Sequence, residues 1–447
     1  MDQATFAPGP RHRAGRGILI ATLLAAGAAR MTAGALEAYV GTPDPCFNWK
    51  RCEQKPIKDW GTLTHLELVS QTWRGQFWSH HLLVLRPDTV RNPDIALLFV
   101  TGGSYNAPNE KELGMFRTWA ERAGAVVAVL NKVPNQPLYD GRSEDALIAF
   151  TFDQYIRSGD PSWPLLFPMV KSAVRALDTL EQFAVSEWGQ TLKRFVVSGA
   201  SKRGWTTWLT AAADARVVAI APMVIDMLNM KAQLEWADQV YGKQSDEISD
   251  YTQLGLHLQM DDPPMVRLRG WVDPYSYRAR YTLPKLILLG TNDPYWTVDA
   301  LRHYWSELPE PKLVSQTPNA GHDLGDGQQA IAALAAFYQM IADGETPPSL
   351  HWTLRNSASG ATLSVRASQA VERFLLWTAD SKDRDFRNDR WTSEPLTPTA
   401  DGREVRAEVI QPAEGYRAFL VEAVLPTRTG HTYQLSTEAR VTPDGIR

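Results

Sequence analysis

Val196–Trp208 reads VVSGASKRGWTTW, and the fold turns on where this stretch bends. Phe195, Val196 and Val197 form an apolar, partly β-branched run that favours a strand, while the residues after Gly204 favour a helix. Ser201 therefore falls on a sharp strand-to-helix turn, with Gly199 and Gly204 on either side to let neighbouring backbones approach closely. A serine held at such a turn can present its hydroxyl as a nucleophile; it can equally be an ordinary turn serine. One spacing is unusual. The G-x-S-x-G pattern of nucleophile turns wants a small residue where Arg203 stands, and Gly204 comes one place late.

Working outward, strand-like and helix-like segments alternate from about Leu63 to Gly344, the pattern of a mostly parallel α/β sheet with helices on both faces. Thr64–Trp73 and His80–Asp88 read as an opening antiparallel pair. The segments Asp94–Gly103, Ala125–Val133, Leu192–Ser201, Arg216–Asp226, Leu283–Asp293 and Lys312–Asp323 read as the strands that follow. Helices are expected between them, among them Thr297–Leu308 and Gln328–Asp343. Residues 227–280 are longer, more polar and less periodic, and read as an inserted cap over the C-terminal edge of the sheet. Beyond Pro348, short alternating segments separated by turn residues predict a small antiparallel β domain, read as sandwich-like over 346–447.

Two further residues fit the chain order that this kind of sheet uses for a nucleophile, an acid and a base. Asp293 directly follows the apolar strand ending in LILLGTN, and His322 follows KLVSQTPNAG. His322 can take the proton of Ser201, and Asp293 can fix the imidazole tautomer and stabilise its cation. Asp293 could also start a turn before Pro294, His322 could be a loop histidine, and Asp226, which ends the preceding strand, is the rival acid. Oxyanion donors are expected from the backbone N–H of Lys202 and from Gly103 in the loop VTGGSYN. Lys202 and Arg203 carry a choice of their own: either a cation faces the cleft and recognises an anionic substrate group, or both pair with acidic residues such as Glu144 and Asp145.

The 447 residues, 44% hydrophobic and 21% charged, suit a soluble globular chain of two domains. Sixteen tryptophans read first as core and interdomain packing and second as a sugar-stacking surface. At the N-terminus, Arg11, Arg13 and Arg16 precede the apolar run Ile18–Ala29, and Ala33 and Ala35 make an A-x-A site, so residues 1–35 read as a secretory signal cut after Ala35. The formal net charge of −4 becomes more negative once those arginines leave, which argues against nucleic acid as a partner. Export makes a local disulfide between Cys46 and Cys52 the expected pairing, with two free thiols the alternative. No metal or organic cofactor is implied, and no G-x-x-x-x-G-K-[ST] phosphate loop occurs.

With these residues in place, the chain resembles the PhoPQ-activated pathogenicity-related protein family, exported bacterial proteins with an α/β-hydrolase domain. The resemblance runs through LEAYVGTPDP, SQTWRGQFWSHHLLVLRP, LLFVTGGS, SGASKRGWTTWLTAAADARVVAIAPMVIDMLNM, VDPYSYR and PNAGHD, across nearly all of residues 36–345. It implies an α/β-hydrolase domain over 36–345, export to the periplasm or beyond, and a link to bacterial envelope stress. The extended G-x-S-[KR]-x-G turn is also similar to that of glucuronoyl esterases, a hint of an acidic sugar ester. The expectation is an exported serine hydrolase using Ser201, His322 and Asp293 through an acyl-enzyme on a carboxylic ester, the substrate being a small molecule, glycan ester or peptide. A peptidase of the same fold and a catalytically degenerate binding or virulence-associated protein are the alternatives.

Overall fold

The computed structural model describes residues 34–103 and 110–446. Residues 1–33 of the leader expected over 1–35 lie outside them. A helix over residues 34–41 (α1) buries Leu36 and Val40 against the core. Then come β1 (Asn48–Ile57), β2 (Gly61–Trp73), β3 (Gln76–Pro87), β4 (Ile95–Val100), α2 (Glu110–Ala123), β5 (Val126–Leu130), α3 (Glu144–Ser158), α4 (Leu166–Trp188), β6 (Arg194–Ala200), α5 (Lys202–Ala213) and β7 (Val217–Met223). These strands, with β8 (Lys285–Gly290) and β9 (Lys312–Thr317), form one nine-stranded sheet in the order β1-β2-β3-β5-β4-β6-β7-β8-β9.

The first three strands are antiparallel, and β5, β4, β6, β7, β8 and β9 are parallel. After the extra edge strand β1, this is the strand exchange of the α/β-hydrolase fold. Every residue of β4 and β5 is buried, as continuous apolar strands covered on both faces must be. One face carries α3, α4 and α5 over residues such as Leu98, Leu130 and Val197. The other carries α2 and α9 (Gln328–Ala342) over Leu97, Val127 and Val196.

Between β7 and β8 the chain leaves the sheet as α6 (Met230–Tyr241), α7 (Ser249–Thr252) and α8 (Pro263–Val272), joined by 3₁₀ turns. Buried Asp273 closes this excursion. Its carboxylate accepts the N–H groups of Asn229 (3.2 Å), Met230 (2.8 Å) and Tyr275 (2.9 Å), so both ends of the helical insert meet on one side chain. Among the described residues, no helix is long and apolar enough to cross a membrane.

Past α9, β10 (Leu350–Ser357), β11 (Gly360–Ala367) and β14 (Glu404–Ile410) make a three-stranded antiparallel sheet. A second antiparallel sheet comprises β13 (Thr392–Leu396), β12 (Arg373–Ser381), β15 (Tyr416–Pro426) and β16 (Thr432–Ser436), with β17 (Arg440–Thr442) also on β15. Leu363 and Val405 of the first sheet, Phe374 and Val421 of the second, and Leu334 and Phe337 of α9 belong to one continuous core. Trp73, Trp78, Trp208 and Trp391 are fully buried, the packing role expected first for tryptophan.

Two expectations are corrected. Cys46 and Cys52 are free thiols. Cys46 Sγ lies 3.3 Å from Thr72 Oγ1, whereas Cys52 in β1 lies opposite the His65–Leu66 stretch of β2, about 20 Å back along that strand from Thr72 and beyond the reach of a disulfide. The helix expected over Thr297–Leu308 is instead two short 3₁₀ turns, Ala300–His303 and Trp305–Glu307. Tyr304 breaks it at φ −150°, ψ −18°, sending its hydroxyl to Asp226, and the fully buried Asp299 is committed to Arg302 and Arg384.

Candidate active site

The turn between β6 and α5 is strained at one residue. Ser201 has φ 57° and ψ −126°, a region that costs a side-chain-bearing residue on the order of 1–3 kcal/mol. Its N–H donates to Met223 O (2.9 Å) and its carbonyl accepts Trp205 N–H (3.0 Å). A Cβ on Gly199 would lie 2.8 Å from Arg203 O and 2.9 Å from Val100 O; one on Gly204 would lie 2.9 Å from both Gly199 O and Met223 O. Gly204 is therefore the close-approach glycine of this turn. Its late position in sequence costs nothing, because the first turn of α5 swings it back over Gly199.

The loops after β8 and β9 supply the second cluster, at the same sheet edge as Ser201. His322 Nδ1 lies 2.8 Å from Asp293 Oδ2, and Asp293 Oδ1 accepts Tyr295 N–H (3.0 Å). With Nδ1 donating to the carboxylate, the imidazole keeps a lone pair on Nε2. That nitrogen is buried and has no hydrogen-bond partner among the described residues, Ser201 included. Bonds of this kind commonly tighten only when substrate enters. The Tyr295 ring stacks on His322 at 4.3 Å between centroids and lines the same cavity as Ser201.

Asp226 is spoken for. Its Oδ1 accepts the Tyr304 hydroxyl at 2.6 Å. Burial pushes its carboxyl up to about 7, the hydrogen bond from Tyr304 opposes this, and the nearby Asp293 charge adds to the rise. It is Asp293, not Asp226, that holds the imidazole.

Sequence reasoning missed what steadies these loops. Asn292, next to Asp293, donates from Nδ2 to Phe386 O (3.0 Å) and Asp389 O (2.8 Å). Asn319, three residues before His322, donates to Trp391 O (3.0 Å) and accepts Trp391 N–H (2.8 Å). The segment between β12 and β13 thus grips both loops by its backbone. The asparagines in TND and PNAGHD were the available signal, but nothing local says which distant carbonyl they meet.

Of the two arrangements read for Lys202 and Arg203, the structure has the pairing with acidic residues. Arg203 is buried and forks onto Glu144, Nη1 to Oε2 and Nη2 to Oε1 both at 2.7 Å, while Nε donates to Val133 O (2.6 Å). Its guanidinium also packs against Gly102, where an added Cβ would fall 2.2 Å from Nη2. Lys202 Nζ sits 2.7 Å from Asp145 Oδ2 and 3.3 Å from Glu144 Oε2. Both charges are matched internally, so a substrate anion would have to displace a carboxylate. For Glu144, burial raises the carboxyl, but the Arg203 hydrogen bond and charge outweigh it and hold the group at about 2.

Arg203 thereby braces the loop that carries Gly103. That loop is also tied to β5, with Thr101 N–H on Leu130 O (2.8 Å) and Lys132 N–H on Gly102 O (2.8 Å), and Gly103 takes φ 90°. The N–H of Lys202 opens α5, at the positive end of its dipole. Among the described residues, no group of three His, Cys, Asp or Glu side chains could hold a metal ion.

The chain matches the PhoPQ-activated pathogenicity-related protein family over residues 36–387. Autocrine proliferation repressor protein A of Dictyostelium discoideum is 32% identical over 429 residues, covering 87% of this chain and 85% of that protein. The solved acetyl xylan esterase of Paenibacillus sp. R4 overlays with a TM-score of 0.51 at 14% identity, covering 69% of this chain and 93% of that one, a likeness of fold. The chain belongs to the PhoPQ-activated pathogenicity-related protein family.

Proposed function

We propose that this member of the family is an exported serine hydrolase that cleaves carboxylic esters through an acyl-enzyme. The observation that carries the reading is the pairing of a strained turn that sets Ser201 on the wall of a cavity with a histidine whose Nδ1 is fixed by Asp293 and whose buried Nε2 is unpartnered. Such a nitrogen is costly to maintain unless a proton is destined for it.

In the first step Ser201 Oγ attacks the ester carbonyl carbon and its proton passes to His322 Nε2. Asp293 stabilises the imidazolium, and the N–H groups of Lys202 and Gly103 receive the developing oxyanion. The C–O bond then breaks, and His322 returns the proton to the leaving alcohol. Water repeats the sequence on the acyl-enzyme: His322 takes its proton, the carboxylic acid leaves, and Ser201 regains its hydrogen. We assign the leader to residues 1–35, the hydrolase unit to 36–345 and the β unit to 346–447.

The test is adduct mapping. Mature protein treated with a fluorophosphonate probe is expected to carry the label on Ser201, and Ser201→Ala is expected to lose both the label and p-nitrophenyl ester turnover. Folded wild-type protein that takes no label at Ser201 would move the assignment to a binding protein on a hydrolase scaffold.

A further inference from the structure

Under the helical insert, a cavity of about 110 Å³ opens at Ser201. Phe152, Trp205, Met230, Met265, Leu268 and Trp296 line it, contributed by α3, α5, α6, α8 and the loop after β8. Three of its polar members have internal partners. Lys202 is held by Asp145, Gln233 donates to Leu228 O and Ala300 O, and Arg269 donates to Met260 O. The pocket is also anchored to the nucleophile turn, since Trp205 Nε1 donates to Val272 O at 2.5 Å.

We infer that this cavity is the acyl pocket, and that the substrate is an ester whose acyl group is an uncharged apolar chain extending about four or five carbons beyond the carbonyl. The inference rests on the serine-hydrolase reading above. An apolar cavity of about 150 Å³ accepts a benzene-sized guest, which scales the present one to roughly that many carbons. The acyl side is chosen because His322, which must protonate the leaving group, is not among the lining residues, so the leaving group departs on the other side. Apolar walls that include four methionines and two tryptophans reward a flexible chain and penalise a carboxylate, which would have to shed its hydration to enter. The acidic sugar ester hinted at by the turn sequence is disfavoured for the same reason, since the two cations behind that hint are already paired.

The experiment is a p-nitrophenyl ester series from acetate through butanoate and hexanoate to decanoate, with methyl glucuronate in parallel. At about threefold to fourfold per buried methylene, kcat/KM is expected to rise on the order of 100-fold from acetate to hexanoate and to fall at decanoate, when the cavity is full. Leu268→Trp, which fills the pocket, is expected to cut the hexanoate-to-acetate ratio by more than tenfold; Met265→Phe reads the same ratio if the larger change prevents folding. A flat or falling series or a preference for glucuronate overturns the pocket assignment alone, and Ser201 labelling without ester turnover overturns both it and the ester reading. Loss of both turnover and labelling overturns the hydrolase reading with it.

Discussion

Glu144→Gln isolates the electrostatics of the Ser201 turn while keeping its shape. The amide can still meet Arg203 and Gln136, but the buried guanidinium loses its opposite charge. Depression of the Glu144 carboxyl from 4.5 to about 2 corresponds to roughly 3 kcal/mol of preference for the ionised form. The Glu144 side chain is 39% exposed, so solvent screens part of this, and the expected loss of stability at pH 7 is about 1–2 kcal/mol. A carboxyl whose pKa is lowered on folding stabilises the native state above its unfolded value and loses that contribution as pH falls through the folded one. The gap between wild type and Glu144→Gln should therefore be full at pH 7, begin to close below about pH 4.5 and be nearly gone at about pH 2. Urea unfolding at these pH values measures it. Since Arg203 also braces Gly102 and Gly103, kcat/KM on the best ester should fall on the order of tenfold at pH 7. Equal unfolding free energies at pH 7, or a gap that widens on acidification, would refute the reasoning.

Asp293→Asn is expected to lower kcat by about 10³–10⁴-fold through the wrong imidazole tautomer, whereas Asp226→Asn, which still accepts the Tyr304 hydroxyl, should cost less than about tenfold. The reverse ranking in steady-state kinetics would make Asp226 the acid. Gly204→Ala forces a methyl group to within 2.8–2.9 Å of Ile225 Cγ2, Gly199 O and Met223 O, so the turn must shift. A loss of about 1–3 kcal/mol and slower fluorophosphonate labelling of Ser201 are expected, and unchanged melting with unchanged labelling would show that Gly204 is not the close-approach position.

The β unit emerges in a role that its own sequence does not announce. Phe386, Asp389 and Trp391 give backbone groups to the loops that carry Asp293 and His322, and Arg384 neutralises Asp299 in the segment that delivers Tyr304 to Asp226. The sheet edge that holds the catalytic candidates is thus stiffened from outside the α/β layers.

Much of the architecture was legible in the chain. Continuous apolar runs between amphipathic helices have few other ways to bury themselves than a parallel sheet, so β4 to β9 and the order Ser201, Asp293, His322 could be read in advance. Local spacing also located the Ser201 turn. It placed Gly204 one position late, because a helix turn brings position 204 back over position 199, and it left Glu144 as one of two readings for Arg203, a contact that spans 59 residues of chain. Partners at such separations obey no local periodicity. The free thiols, the commitment of Asp226 to Tyr304, the paired state of Lys202 and Arg203, and the apolar pocket at Ser201 all depend on which surfaces meet in three dimensions. Composition and period determine which faces must be buried; only tertiary packing decides which side chains share a site once they are.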